Sequence, residues 1–169
     1  MSEAGDIGRF DPRPSPSHFD AITGDVVFAI AGHLLHNYLL PRDCPRVTYY
    51  ANTATTAEDR SRFLGGSAAT HVVAIETSWF HLVNTTVLYC YEFPAASFAP
   101  LDETAGYFIS YEPIVPIAVR RIDNIFDELL ARPYIELRVL PELWTLGNSV
   151  VKSSLSYSLI RMRNAIKSF

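Results

Sequence analysis

VVFAIAGHLLHNYLLPRDCPRVTYY, residues 26–50, decides what kind of fold this chain can have. VVFAI (26–30) is an apolar run of strand length. AGHLLHNYLL (31–40) sets Leu34, Leu35, Tyr38 and Leu39 at helical spacing, and Pro41 stops it. RVTYY (46–50) is rich in β-branched and aromatic residues and reads as a second strand. Strand, short helix, proline-bracketed turn and strand thus follow one another within 25 residues.

The pattern continues downstream without a regular β-α-β-α rhythm. TTAEDRSRFLGG (55–66) opens with a Thr followed three residues later by an acid, a capping box, and closes on Gly65-Gly66. HVVAIE (71–76) reads as a strand, TSWFHLVN (77–84) as one or two helical turns, and TVLYCYEF (86–93) as an alternating strand. GYFISYE (106–112) and IVPIAVRRI (114–122) give two further strands, the second interrupted by Pro116 and so placed at an edge. IDNIFDELLAR (122–132) carries an apolar stripe and is expected to be helical, with Asp123 as its cap. IELRVL (135–140) is a strand, and the remainder to residue 166 reads mostly as helix or helix-turn. Six to seven short strands among short helices predict an α+β fold with a mixed or largely antiparallel sheet. Residues 26–169 are expected to form one compact domain. Residues 1–25 hold Pro12, Pro14, Pro16, Gly5, Gly8 and Gly24 and are expected to form an arm or irregular segment, ordered only if Ile7, Phe10 and Phe19 find the body.

Composition narrows the classes. The chain has 169 residues, 49% hydrophobic and 19% charged, a globular profile with enough length for a substantial core. Its net charge of −4 offers no basic field for nucleic acid, so no nucleic-acid partner is expected. No run approaches about 18 apolar residues, so no membrane span is expected. Two cysteines, no apolar leader and no basic n-region suggest a reducing, cytoplasmic setting.

The chemistry-bearing residues gather around PRDCPRV (41–47). Arg42 and Arg46 present planar forks that suit a carboxylate or phosphate. Cys44 beside them would gain thiolate character from the neighbouring positive charge. The competing and favoured reading is structural: two prolines rigidify the turn, Asp43 closes it through backbone N–H groups, and the arginines pair with nearby acids. His33 and His36 stand three apart, but no carboxylate lies in residues 26–40, so no metal site is expected. His71 and His81 read as packing histidines. Arg163 and Asn164 in IRMRN (160–164) can reach a cleft or simply decorate a helix end, and both readings stay open. Glu136 and Arg138 share one face of their strand and read by default as an ion pair. Serine-hydrolase, P-loop and dinucleotide fingerprints do not occur.

YLLPRDCPRV (38–47), TTAEDRSRFLG (55–65), ELRVLPELW (136–144) and IRMRNA (160–165) together resemble an uncharacterised family of small bacterial proteins, a domain of unknown function. The resemblance runs from about residue 7 to residue 166 and brings no activity with it. More weakly, the chain resembles the ADP-ribosyltransferase fold. That resemblance implies a His on a first strand, a Tyr on the helix after the second and an acid on a later strand. Tyr38 would take the second role and Glu112 or Glu92 the third, while Met1-Ser2-Glu3 stands where the His-bearing strand would end.

Two functions are expected to compete. The first is a small metal-independent enzyme acting on a polar or anionic small molecule. His36, Tyr38 and Glu112 would do its acid/base work, and Arg42, Arg46, Arg163 and Asn164 would hold the ligand. The second is a non-catalytic binding or accessory protein, with the tyrosines available for homo-oligomer formation. The sequence names no cofactor.

Overall fold

A computed structural model describes residues 1–16 and 19–167, so Ser17 and His18 of the expected arm lie outside the described residues. The described residues form nine short strands in three sheets, with four α-helices and four 3-10 segments, an α+β architecture. They divide into two compact units, one of residues 1–35 and 88–122, the other of residues 36–87 and 123–169.

In the first unit, β1 (Val27–Ile30), β6 (Tyr107–Ser110) and β5 (Ala99–Asp102) form an antiparallel sheet in the order β1-β6-β5. β4 (Leu88–Glu92) pairs antiparallel with β7 (Ala118–Ile122) as a ribbon. β5 escapes the sequence pattern because APLD has no apolar alternation; its partner β6 organises it. Residues 114–117, expected as strand, stay irregular around Pro116, and only Ile114 bridges, to Phe10. The N-terminal segment packs on this unit. Phe10 meets the rings of Tyr91 and Phe93 edge-on at 5.0 Å each, and Phe19 lies against Phe28 and Tyr107. Ser2 and Arg13 add single bridges to Tyr89 and Val26. Gly106, at φ +70°, turns the chain into β6 where a Cβ would meet Leu34 Cδ1 at 2.8 Å.

The second unit is a four-stranded sheet in the order β8-β3-β2-β9, with β2 (Arg46–Tyr50), β3 (His71–Glu76), β8 (Ile135–Leu140) and β9 (Ser156–Ile160). Only the β3–β8 pair is parallel. One face packs Val47, Tyr49, Val72 and Ala74 against α1 (Ala57–Leu64) and α4 (Trp144–Val150) through Phe63, Leu64, Leu143 and Val150. α3 (Ile125–Leu130) packs on β8 and buries Ile125 and Leu129; α2 (Phe80–Thr85) leans on α3 through a Phe80–Phe126 stack at 4.8 Å. Burying aliphatic side chains of this size stabilises by roughly 1.5–3 kcal/mol each.

Three sequence expectations change here. Residues 32–38 form a 3-10 segment rather than an α-helix and give way to a bend at residues 39–40 ahead of Pro41, which disfavours helical backbone in the residue before it. Asn124, not Asp123, caps α3: its backbone is extended, and its side chain accepts the Asp127 N–H at 3.1 Å. The expected C-terminal helix ends at Val150, and SYSLI becomes an edge strand on β2. Serines at 153, 154, 156 and 158 are poor helix material, and Leu155, Tyr157 and Leu159 alternate at strand period.

Candidate functional site

The proline-bracketed turn is built around one buried cation. Cys44 N–H closes the turn on the Pro41 carbonyl at 3.0 Å. Arg46, the first residue of β2, is only 2% exposed. Its Nε donates to the Asn37 carbonyl at 3.0 Å, and its Nη1 to the carbonyls of Pro41 at 3.2 Å and Cys44 at 2.9 Å. The same guanidinium lies 5.4 Å from the centroid of the Tyr38 ring. Arg46 therefore holds the turn closed, the task the sequence reading gave to Asp43, whose side chain is instead exposed. Cys44 also departs from expectation. Burial pushes its thiol up to about 12, outweighing the lowering by Arg46, with the charge of Glu76 adding a further rise. No thiolate character follows.

Against this turn sits a C-terminal hook. Asn164 Nδ2 donates to the Asp43 carbonyl at 2.7 Å, and Arg161 Nε to the Arg42 carbonyl at 3.2 Å. Arg161 Nε also stands 3.8 Å from the Asp43 carboxylate. Arg161 has φ +56°, the one non-glycine residue with positive φ among the described residues. That conformation costs roughly 1–2 kcal/mol for an L residue and turns β9 directly into the 3-10 segment Met162–Asn164. Arg42 and Arg163 are exposed beside these contacts. The result is a solvent-facing strip that carries Arg42, Arg161, Arg163 and Asn164, with the Asp43 carboxylate beside Arg161. Its donors are of the kind that accept a compact anion.

At the opposite end of β2 is an imidazole and phenol nest. His36 is 1% exposed and meets the ring of His71 edge-on at 4.9 Å. Tyr50 stacks on His71 at 4.7 Å, and Tyr134 closes on His71 at 5.4 Å. The Thr70 hydroxyl lies 2.9 Å from His71 Nδ1. Four residue steps of strand, roughly 13 Å, separate Arg46 from Tyr50 along β2. His36 thus joins His71, while Arg42, Arg46, Arg163 and Asn164 cluster at the turn. The Tyr38 ring lies against the Arg46 guanidinium. Glu112 belongs to the other unit, exposed, with its N–H bonded to Ser110 Oγ at 3.2 Å.

His71, Tyr50 and Tyr134 were not expected as site residues. The β2–β3 register pairs Tyr50 with His71, but nothing in the separate strings RVTYY and HVVAIE announces that pairing. Arg138 and Glu136 form the expected ion pair at 2.6 Å, which holds the Glu136 carboxyl below its ordinary range. Arg138 also donates to Tyr49 Oη at 2.6 Å and to the Phe63 carbonyl at 2.8 Å, bracing the sheet against α1. Burial pushes the Tyr49 hydroxyl up to about 12. No group of three or more metal-ligating side chains occurs among the described residues, and none of their helices is long and apolar enough to cross a membrane.

Fold and site define an α+β protein with a cationic turn-and-hook surface on one unit. The chain belongs to the Family of unknown function (DUF6886), whose description covers residues 1–165. No curated protein and no solved structure matches it.

Proposed function

We propose that this protein binds a small polar anion on the turn-and-hook surface, with Arg42, Arg161, Arg163 and Asn164 as its donors. The observation that carries the reading is the bolting of the hook onto the turn by Asn164 and by Arg161 in its left-handed conformation. Backbone strain of this kind persists where surrounding contacts over-determine it, and it concentrates at ligand sites. Arg46 supports the site from beneath rather than touching the ligand. Titration of the full chain with inorganic phosphate, and separately with a dicarboxylate, tests this. Saturation near 100 times Kd should raise stability by about 2.7 kcal/mol, or roughly 5–11 °C for a chain of this size. Arg42→Ala and Arg163→Ala should each weaken binding about tenfold or more with little change in unliganded melting. No shift with either anion at low ionic strength would end the proposal.

A second reading, a proton-transferring enzyme, is favoured by the His36–His71 contact and its phenolic walls. In its ADP-ribosyltransferase-like form, Tyr38 would take part, and the protein would bind a dinucleotide. Calorimetric titration with the dinucleotide decides that form: absence of heat removes it.

A further inference from the structure

Glu76 closes β3 and is 0% exposed, one of the few charged residues buried in this unit. Both oxygens of its carboxyl group accept the N–H of Ile166, at 3.0 and 3.2 Å. A buried carboxyl group is costly unless its acceptors are used, so this contact is a strong local constraint. The sheet register shows what it constrains. The last full row across the three strands is Ile75–Arg46–Ile160. The next residues along each strand are Glu76, Pro45 and Arg161, so the buried carboxyl, the turn and the start of the hook share one end of the sheet. From Arg161 the chain makes its left-handed bend, passes through Met162–Asn164, buries Ala165 at 8% exposure and reaches the Glu76 anchor at Ile166.

We infer that Glu76 is a positioning residue for the anion site, holding the hook onto the turn through the Ile166 amide. This rests on the anion-binding reading above. Arg46 fixes the turn and Glu76 fixes the hook, so each wall of the site is set by its own buried ionisable group. With the anchor lost, the Asn164 and Arg161 bonds to the turn and the buried Met162 and Ala165 must hold the hook against the strain at Arg161.

The test removes the donor and spares the carboxyl group. Ile166→Pro lacks the N–H, and Ala165, at φ −69° and ψ 151°, already has the backbone that a residue before proline requires. Ile166 is 42% exposed, so Ile166→Ala is a mild control that keeps the N–H. Glu76→Gln keeps an acceptor and removes the charge. Phosphate affinity and exchange of the Asn164 side-chain amide are read by NMR on each full-length variant. Wild type and Ile166→Ala should bind alike, Ile166→Pro should lose about tenfold and expose the Asn164 amide to exchange, and Glu76→Gln, left with one acceptor for the Ile166 N–H, should bind no tighter than wild type. Tighter binding by Glu76→Gln would mean that Glu76 merely opposes the anion, and would overturn the inference. So would unchanged affinity and amide exchange in Ile166→Pro. If the wild type itself ignores phosphate, the binding proposal fails. The positioning inference is then decided by the Asn164 amide alone: faster exchange in Ile166→Pro supports it, and unchanged exchange ends it.

Discussion

Replacing Arg46 with methionine should distinguish a buried brace from a ligand-holding cation. The substitution keeps an unbranched side chain in the space and removes the guanidinium. Three carbonyls, those of Asn37, Pro41 and Cys44, lose a donor in a region where Pro41, Cys44 and Pro45 are all buried. An acceptor left unsatisfied in such a place costs about 1–3 kcal/mol, and disrupting a buried charged network costs about 3–5 kcal/mol. Full additivity is not expected because the three carbonyls share one turn. A loss of about 3–5 kcal/mol is therefore the working figure, and at 2–4 °C per kcal/mol it lowers the melting temperature by roughly 6–20 °C. Arg42→Met is the control, since the Arg42 side chain is exposed and its backbone carbonyl, which accepts from Arg161, is kept; it should stay within about 0.5 kcal/mol. Urea unfolding of both variants at pH 7 measures the difference. A loss below about 1 kcal/mol in Arg46→Met, or equal losses in the two variants, would refute the bracing argument. Arg46→Lys should fall between, because one ammonium cannot reproduce the fork that reaches three carbonyls.

Cys44, with its thiol raised to about 12 by burial, should resist a thiol reagent at pH 8 in the native protein and react once urea unfolds the chain; rapid native labelling at Cys44, located by peptide mapping, would contradict this. Asp59 accepts from Ser154 N–H at 2.7 Å and Ser154 Oγ at 2.6 Å, and these bonds lower its pKa. Its folded pKa lies below the unfolded one, so the stabilisation is present above the unfolded value near 4 and disappears as pH falls through the folded one. Asp59→Asn should thus melt below wild type at pH 7, with the gap closing in strong acid; a gap independent of pH would sink the assignment. Asn124→Ala removes the α3 cap and should cost about 1 kcal/mol by urea unfolding, whereas Asp123→Ala should leave the helix nearly unchanged.

How far the fold could be read from sequence depended on whether a segment carried its own signal. HVVAIE and IELRVL declared themselves through apolar, β-branched runs, and α1 through Thr56 and the two glycines that follow it. SYSLI did not, because its strand character comes from pairing with β2 rather than from its serines. β5 was hidden for the same reason. The candidate site divided along a similar line. Arg42, Arg163 and Asn164 stand out in the sequence as polar side chains near a turn, and all three are exposed. The Asn164 contact to Asp43 spans 121 residues of sequence, and no local pattern foretells it.

Arg46 illustrates why local chemistry alone misassigns a cation. In PRDCPRV the two arginines look equivalent, each beside a proline and each able to grip an anion. The difference is made by the strand that follows. β2 lies between β3 and β9, and Val47, Thr48 and Tyr49 are all nearly inaccessible, so both faces of the strand are covered. A central strand imposes that burial on its first residue as well, and a guanidinium placed there must spend its donors inside the protein. Backbone carbonyls of the preceding turn are within reach, and closing that turn is what brings Arg42 and Asp43 out to meet the hook. The same burial that disqualifies Arg46 as a ligand contact makes it responsible for the geometry of the residues that remain qualified. A variant that frees Arg46 from the turn should therefore weaken anion binding through Arg42 and Arg161, without Arg46 ever touching the anion.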